Sequence, residues 1–201
     1  MTRLGSCCFF YIAIAWLAGI GCHIQLQHPN TVPGRMIEPQ LLDPQLTDSA
    51  KQVAKAPNAT PIRLLETQAQ GDIDRRVLHQ LPNGELTEDS VWRWSSFPSQ
   101  YLDTAIRLEV ASNPNVRLVD SARAPALAAT LLVWDLESSG QTQLVGVAEF
   151  QITAADGAVN TKVVRASERV AAELPGDLAA AAGRLLHRLA SDGLTIALGN
   201  R

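Results

Sequence analysis

The 201-residue chain is poor in the residues that metal or thiol chemistry needs. It has three cysteines, at positions 7, 8 and 22, and four histidines, at 23, 28, 79 and 187. The histidines show no ligand spacing, and there is no CxxC, GxSxG or phosphate-binding glycine loop. Acidic residues are scattered, and Glu88-Asp89 reads as a polar loop rather than an acid/base pair. His187, between Leu186 and Arg188 in a helical pattern, reads as a solvated position. No enzymatic activity, cofactor or metal is expected. Basic surplus is also missing: 17 Lys and Arg stand against 20 Asp and Glu, for a net charge of −3, which excludes the electrostatic footprint of a nucleic-acid binder. Aromatic residues make up only 5%, whereas 46% of the chain is hydrophobic, enough for one modest core.

The N-terminus reads as an export signal, residues 1–21. Arg3 supplies the positive charge, and residues 4–21 carry none. Gly19 and Gly21 bracket Ile20 just before Cys22, the pattern that a lipoprotein signal peptidase needs beside an acylated cysteine. Gly19 stands where leucine is usual, and an uncleaved membrane anchor is the alternative. Leu4-Gly5-Ser6-Cys7 matches the four-residue pattern better, but no apolar segment precedes it to enter the membrane. Cleavage before Cys22 removes Cys7 and Cys8, leaving one cysteine, bonded to lipid, and no thiol for disulfides or catalysis. Two or more acyl chains there would give stable anchoring. His23 follows the cysteine in place of the aspartate that retains lipoproteins in the inner membrane, so the expected location is the periplasmic face of the outer membrane.

Residues 22–60 read as a disordered, lipid-anchored tether. Pro29, Pro33, Pro39, Pro44 and Pro57, with Pro61 at its end, are more than half of the chain's 11 prolines, and the stretch holds no aromatic residue. As a flexible coil it spans roughly 30–40 Å, and on the order of 120 Å when stretched. The alternative is that residues 48–56 pack on the domain as a short helix.

Residues 61–201 carry the periodicity of one folded domain. "PIRLLET" (61–67) and "IDRRVLHQL" (73–81) predict strands, and Pro82-Asn83-Gly84 a turn. "FPSQYLDTAIRLEVAS" (97–112) predicts a helix that buries Tyr101, Leu102, Ala105, Ile106, Leu108 and Val110, with Pro98 in its first turn and Asn113-Pro114-Asn115 ending it. "VRLVD" (116–120) and "ATLLVWDLES" (129–138) predict strands, the second with Thr130, Leu132, Trp134 and Leu136 on one side. Asp156-Gly157 predicts a hairpin between residues 143–154 and 158–170. Asp177 is positioned to cap a final helix over 178–198, with Leu178, Ala182, Leu185, Leu189 and Ile196 inward; Gly183 and Gly193 weaken it by about 1 kcal/mol each. The expected fold is α/β (α+β): a mixed, mostly antiparallel sheet carrying two principal helices.

One aromatic patch stands out, "SVWRWSSFPS" (90–99). Its Trp92 and Trp94 fall on one side of an extended segment and Phe97 follows. These residues either seal the core where the chain enters the helix or form an anchor for a partner or lipid chain.

Taken together, lipid-anchor Cys22, the tether, "IDRRVLHQLPNGELTEDSVWRW", "FPSQYLDTAIRLEV", "LLVWDLE", the hairpin and "DLAAAAGRLLHRLASDGL" resemble the ABC-type transport auxiliary lipoprotein family, which includes the paraquat-inducible protein C lipoproteins. Trp94 matches the family's tryptophan before the amphipathic helix. The resemblance implies a non-enzymatic accessory subunit in a diderm bacterium. Its partners would be a mammalian-cell-entry (MCE) domain protein and an ABC transporter permease and ATPase that move phospholipid or other lipids; a homo-oligomer is left open. Two other readings fit a tethered small domain: an activator or assembly factor for cell-wall synthesis or outer-membrane biogenesis, and a periplasmic lipid-binding module.

Overall fold

The longest strands among the described residues form an antiparallel meander, β7 (Ala126–Ser138), β8 (Thr142–Thr153) and β9 (Val159–Arg169). The structure, a computed structural model, describes residues 34–41, 54–71, 73–138, 140–172 and 174–199. Asp156-Gly157 lies in the β8–β9 turn, where Gly157 takes a φ of 87° and the Asp156 carboxylate accepts from the Ala158 N–H at 3.0 Å.

The other side of β7 takes three short parallel strands in succession. β2 (Thr60–Leu64) pairs at Ala126 and Leu127, β3 (Gln68–Ala69) at Thr130 and Leu131, and β4 (Arg76–Gln80) at Leu136 and Glu137. Beyond β2 lies β6 (Val116–Leu118); beyond β4 lie β5 (Leu86–Trp94), antiparallel, and then β1 (Arg35–Ile37), parallel to β5. Among the described residues the result is a mixed nine-stranded sheet whose longest ladders are antiparallel.

Helices α1 (Pro98–Ser112) and α2 (Pro175–Gly199) pack against each other and against the sheet, α1 on β7 and β6, α2 on β8 and β9. Pro98 occupies the first turn of α1, where its missing N–H removes an otherwise unpaired donor. The α1 terminus is closed from afar: the Lys55 ammonium donates to the carbonyls of Val110, Ala111 and Asn113 at 2.8, 2.8 and 2.9 Å. Helix α2 begins at Pro175, so Asp177 lies within its first turn rather than capping it. The two glycines that weaken α2 have packing reasons. A Cβ on Gly193 would stand 2.3 Å from the Phe150 ring, and one on Gly183 would strike the backbone at Gln40.

Three further expectations are corrected. The tether reading over 22–60 fails at 34–41, and the compact unit begins at Pro33 rather than at residue 61. Ile37 and Pro39 are buried, the Ser95 N–H donates to the Ile37 carbonyl at 2.9 Å, and the Gln40 N–H donates to the Ala179 carbonyl at 3.0 Å. Proline spacing excludes a helix there but not a three-residue edge strand. The remaining tether residues 22–33 and 42–53 lie outside the described residues. Second, β7 is bulged: its register on β8 slips between Leu131 and Val133. Leu131 pairs with Ala148 and Trp134 with Gly146, so Leu131 shares a face with Trp134, and Thr130 and Leu132 do not continue the Trp134–Leu136 row. Third, Glu88 and Asp89 belong to β5, not to a loop.

Candidate functional site

The strands β1, β5 and β4 bring together the residues singled out at 92–97. Trp94 pairs in register with Ile37, and its backbone is tied to Arg75: the Trp94 N–H donates to the Arg75 carbonyl at 2.7 Å, and Arg75 Nε donates to the Trp94 carbonyl at 3.1 Å. The Trp94 ring is 1% exposed and meets Trp134 edge-on, centroids 5.6 Å apart at 60°. Trp94 is therefore a core residue, and the reading of it as a surface contact is corrected. Trp92 is half-buried, with the Arg35 guanidinium over its ring at 5.6 Å. Phe97, at the N-cap of α1, is 46% exposed. Trp92 and Phe97 line different clefts. Cys22 lies outside the described residues.

On the opposite side of the strands from Trp94, the register forms a row across three strands, Met36 on β1 beside Arg93 on β5 beside Arg76 on β4. Two arginines directly opposite each other repel, and carboxylates separate them. Arg93 Nη2 lies 2.5 Å from Glu88 Oε1, Arg76 Nη1 lies 4.0 Å from Glu88 Oε2, and Arg76 Nε lies 2.8 Å from Asp74 Oδ2. Burial raises the Asp74 carboxyl, but the Arg76 N–H, its guanidinium and the Arg93 charge outweigh this and hold it below the ordinary carboxylate range. Arg75, Phe97 and the 55%-exposed Met36 complete a shallow cleft of about 410 Å³ with these residues.

A second cleft, about 280 Å³, runs past Trp92 along the β4–β5 pair. Here His79 Nε2 lies 3.1 Å from Asp89 Oδ2, and Asp89 Oδ1 accepts from the Val91 and Trp92 N–H groups at 2.8 Å each. Burial raises the Asp89 carboxyl, yet those two backbone donors and His79 more than offset it, and its pKa is lowered. This carboxylate shapes the end of β5 and holds it to β4.

Among the described residues no group of three or more His, Cys, Asp or Glu could hold a metal, and no described helix is long and apolar enough to cross a membrane. His187 is exposed and lies 3.3 Å from Glu109 on α1. The sequence reading missed the arginine cleft. Its signal is present in "DRR" and "WRW", but the two motifs become neighbours only through the β4–β5 register.

No protein-family model matches the sequence, and no curated protein matches it significantly. Solved structures match the fold. Protein XCC0632 of Xanthomonas campestris, of the DUF330 family model, superposes with a TM-score of 0.64 at 15% identity, covering 82% of this chain and 96% of that one. An uncharacterised protein gives 0.57 at 12% identity, covering 73% and 96%. The hypothetical protein CT253 of Chlamydia trachomatis gives 0.50 at 11% identity, covering 70% and 96%. The shared property is the α+β fold.

Proposed function

We propose that this chain is a lipoprotein without catalytic activity, anchored through acylated Cys22 at the periplasmic face of the outer membrane of a diderm bacterium. In this reading it is an accessory component of an MCE/ABC-type lipid transport system. The observation that carries the anchor is the order of parts. A charge-free apolar segment ends in small residues at Cys22, and a compact unit without cysteine begins at Pro33, only eleven residues later. An acylated cysteine followed by a short connection and a stable domain is the layout of a tethered docking module.

The partner class rests on the family resemblance of residues 61–198; the likeness to XCC0632 supports the fold that the resemblance implies. The chain would supply binding and location, and the partner ATPase the energy. Affinity isolation of the full-length chain from cross-linked envelopes tests this. Co-recovery of an MCE-domain protein with a permease and an ATPase is the expected result. Recovery of a peptidoglycan synthase or an outer-membrane assembly factor without an MCE protein would overturn the transport reading.

A further inference from the structure

We propose that the arginine cleft seats the anionic headgroups of the membrane to which the chain is tethered, so that the domain rests on the bilayer through the end of the sheet formed by β1, β4 and β5. The membrane's identity rests on the proposed anchor at Cys22; the cleft's chemistry does not.

Charge, apolar lining and the path of the chain converge on this cleft. Three guanidiniums, of Arg75, Arg76 and Arg93, line it, against the carboxylates of Asp74, in its wall, and Glu88, between Arg76 and Arg93. Arg76 and Arg93 are engaged by those carboxylates, whereas among the described residues the Arg75 guanidinium donates to the Trp94 carbonyl and, at 3.3 Å, to the Met36 sulfur. Arg75 thus presents positive charge with no carboxylate partner among the described residues. This local surplus sits on a chain whose net charge is −3.

The apolar half of the cleft is as informative. Met36 and Phe97 are large and exposed, and they flank the guanidiniums. A free phosphate needs only the charge, by charge-assisted hydrogen bonds. Guanidiniums bordered by a thioether and a phenyl ring match an amphiphile, with its phosphate on the arginines and its acyl boundary against Met36 and Phe97.

The chain's own path supplies the occupant. The described part of the compact unit begins at Gly34, where an added Cβ would lie 3.0 Å from Arg93 Cγ. The connection to Cys22 therefore starts beside Arg93, a residue that lines the cleft. Gly34 is the twelfth residue after Cys22, a reach of about 40 Å fully extended, so a lipid on Cys22 confines the cleft to the neighbourhood of a bilayer surface.

The test uses the full-length chain in vesicles of phosphatidylcholine alone, or of equal parts phosphatidylcholine and phosphatidylglycerol. A photoreactive benzoylphenylalanine replaces Met36 in one preparation and Phe97 in another, and acylation of Cys22 is read by mass on the same samples. Both positions are expected to crosslink to lipid preferentially in the phosphatidylglycerol vesicles. Arg75→Gln and Arg76→Gln should each weaken that preference roughly fivefold, with circular dichroism unchanged. This result supports the cleft whether or not Cys22 carries acyl chains; an unacylated Cys22 would sink only the anchor. Acylated Cys22 with no lipid crosslink, or with equal crosslinking in both vesicles, would overturn the cleft. So would crosslinking insensitive to both substitutions, or inorganic phosphate bound by the arginines without any lipid crosslink.

Discussion

The carbonyl oxygen of Gln40 occupies the space into which any side chain at residue 183 would project: a Cβ on Gly183 would lie 2.1 Å from it. The segment at 34–41 is thus fitted into α2 as well as paired with β5. Tyr101 adds a third tie, accepting from the Ser96 N–H at 2.6 Å and donating to Glu38 Oε2 at 3.2 Å. Burial first, offset in part by Ser95 and Ser96 and reinforced by Glu38, raises the Tyr101 hydroxyl above its ordinary pKa.

Gly183→Ala separates helix propensity from packing. Alanine should stabilise an isolated helix by about 1 kcal/mol. Here the backbone at Gln40 must move, and overpacking of this kind typically costs about 1–3 kcal/mol. A net loss in denaturant unfolding is expected, with faster hydrogen exchange at Ser95, whose N–H bonds to Ile37. A gain in stability would show that the segment is not held on α2.

Trp94 and Trp92 should respond differently to truncation. Trp94→Ala removes a buried ring packed on Trp134 and should cost about 3–5 kcal/mol. Trp92→Ala loses a half-buried ring and its stacking on Arg35, a contact worth about 1 kcal/mol. Equal effects in thermal or chemical unfolding would contradict the assignment of Trp94 to the core.

Lys55→Met keeps the aliphatic stem but removes the three donations to the α1 terminus. The expected loss is about 1–2 kcal/mol at low ionic strength, narrowing as salt is added. A salt-independent difference would mean that packing, not charge, closes the helix.

Asp135 should give a pH signature. Burial, and then the Glu137 charge, raise its carboxyl above the ordinary range. The folded state therefore holds this proton more tightly than the unfolded state does. The associated stability is present below the unfolded carboxyl value, about 3.9, and is lost as pH rises through the raised folded value. Asp135→Asn should raise Tm at neutral pH, with the gain shrinking toward acid pH. Asp89 and Asp74, both lowered, act with the opposite sign in either protein: their stabilisation is present above the unfolded value and lost as pH falls through the folded one. A gain that grew on acidification would contradict the environment described for Asp135.

Much of the fold was legible because its signals are local. The proline at the start of α1, the Asp156-Gly157 turn and the inward row on α2 each report their own few residues. What escaped depends on pairing between distant segments. Three residues of β1 show no periodicity, and they become a strand only because β5 presents Trp92 to Trp94 as partners. The bulge in β7 is invisible in alternation because a two-residue period counted through Leu132 still lands on Trp134. The aromatic patch falls at the end of the sheet formed by β1, β4 and β5, but the sequence could not separate Trp94, turned into the core, from the exposed Phe97. The arginine cleft needed the β4–β5 register before Arg76 and Arg93 became neighbours.

The most direct test of the account is the mass of the N-terminal peptide of the chain isolated from bacterial envelopes. The predicted result is a peptide that begins at Cys22 and carries acyl chains, with Cys22→Ser accumulating as unprocessed precursor. An intact N-terminus with residues 1–21 retained and Cys22 unmodified would contradict it.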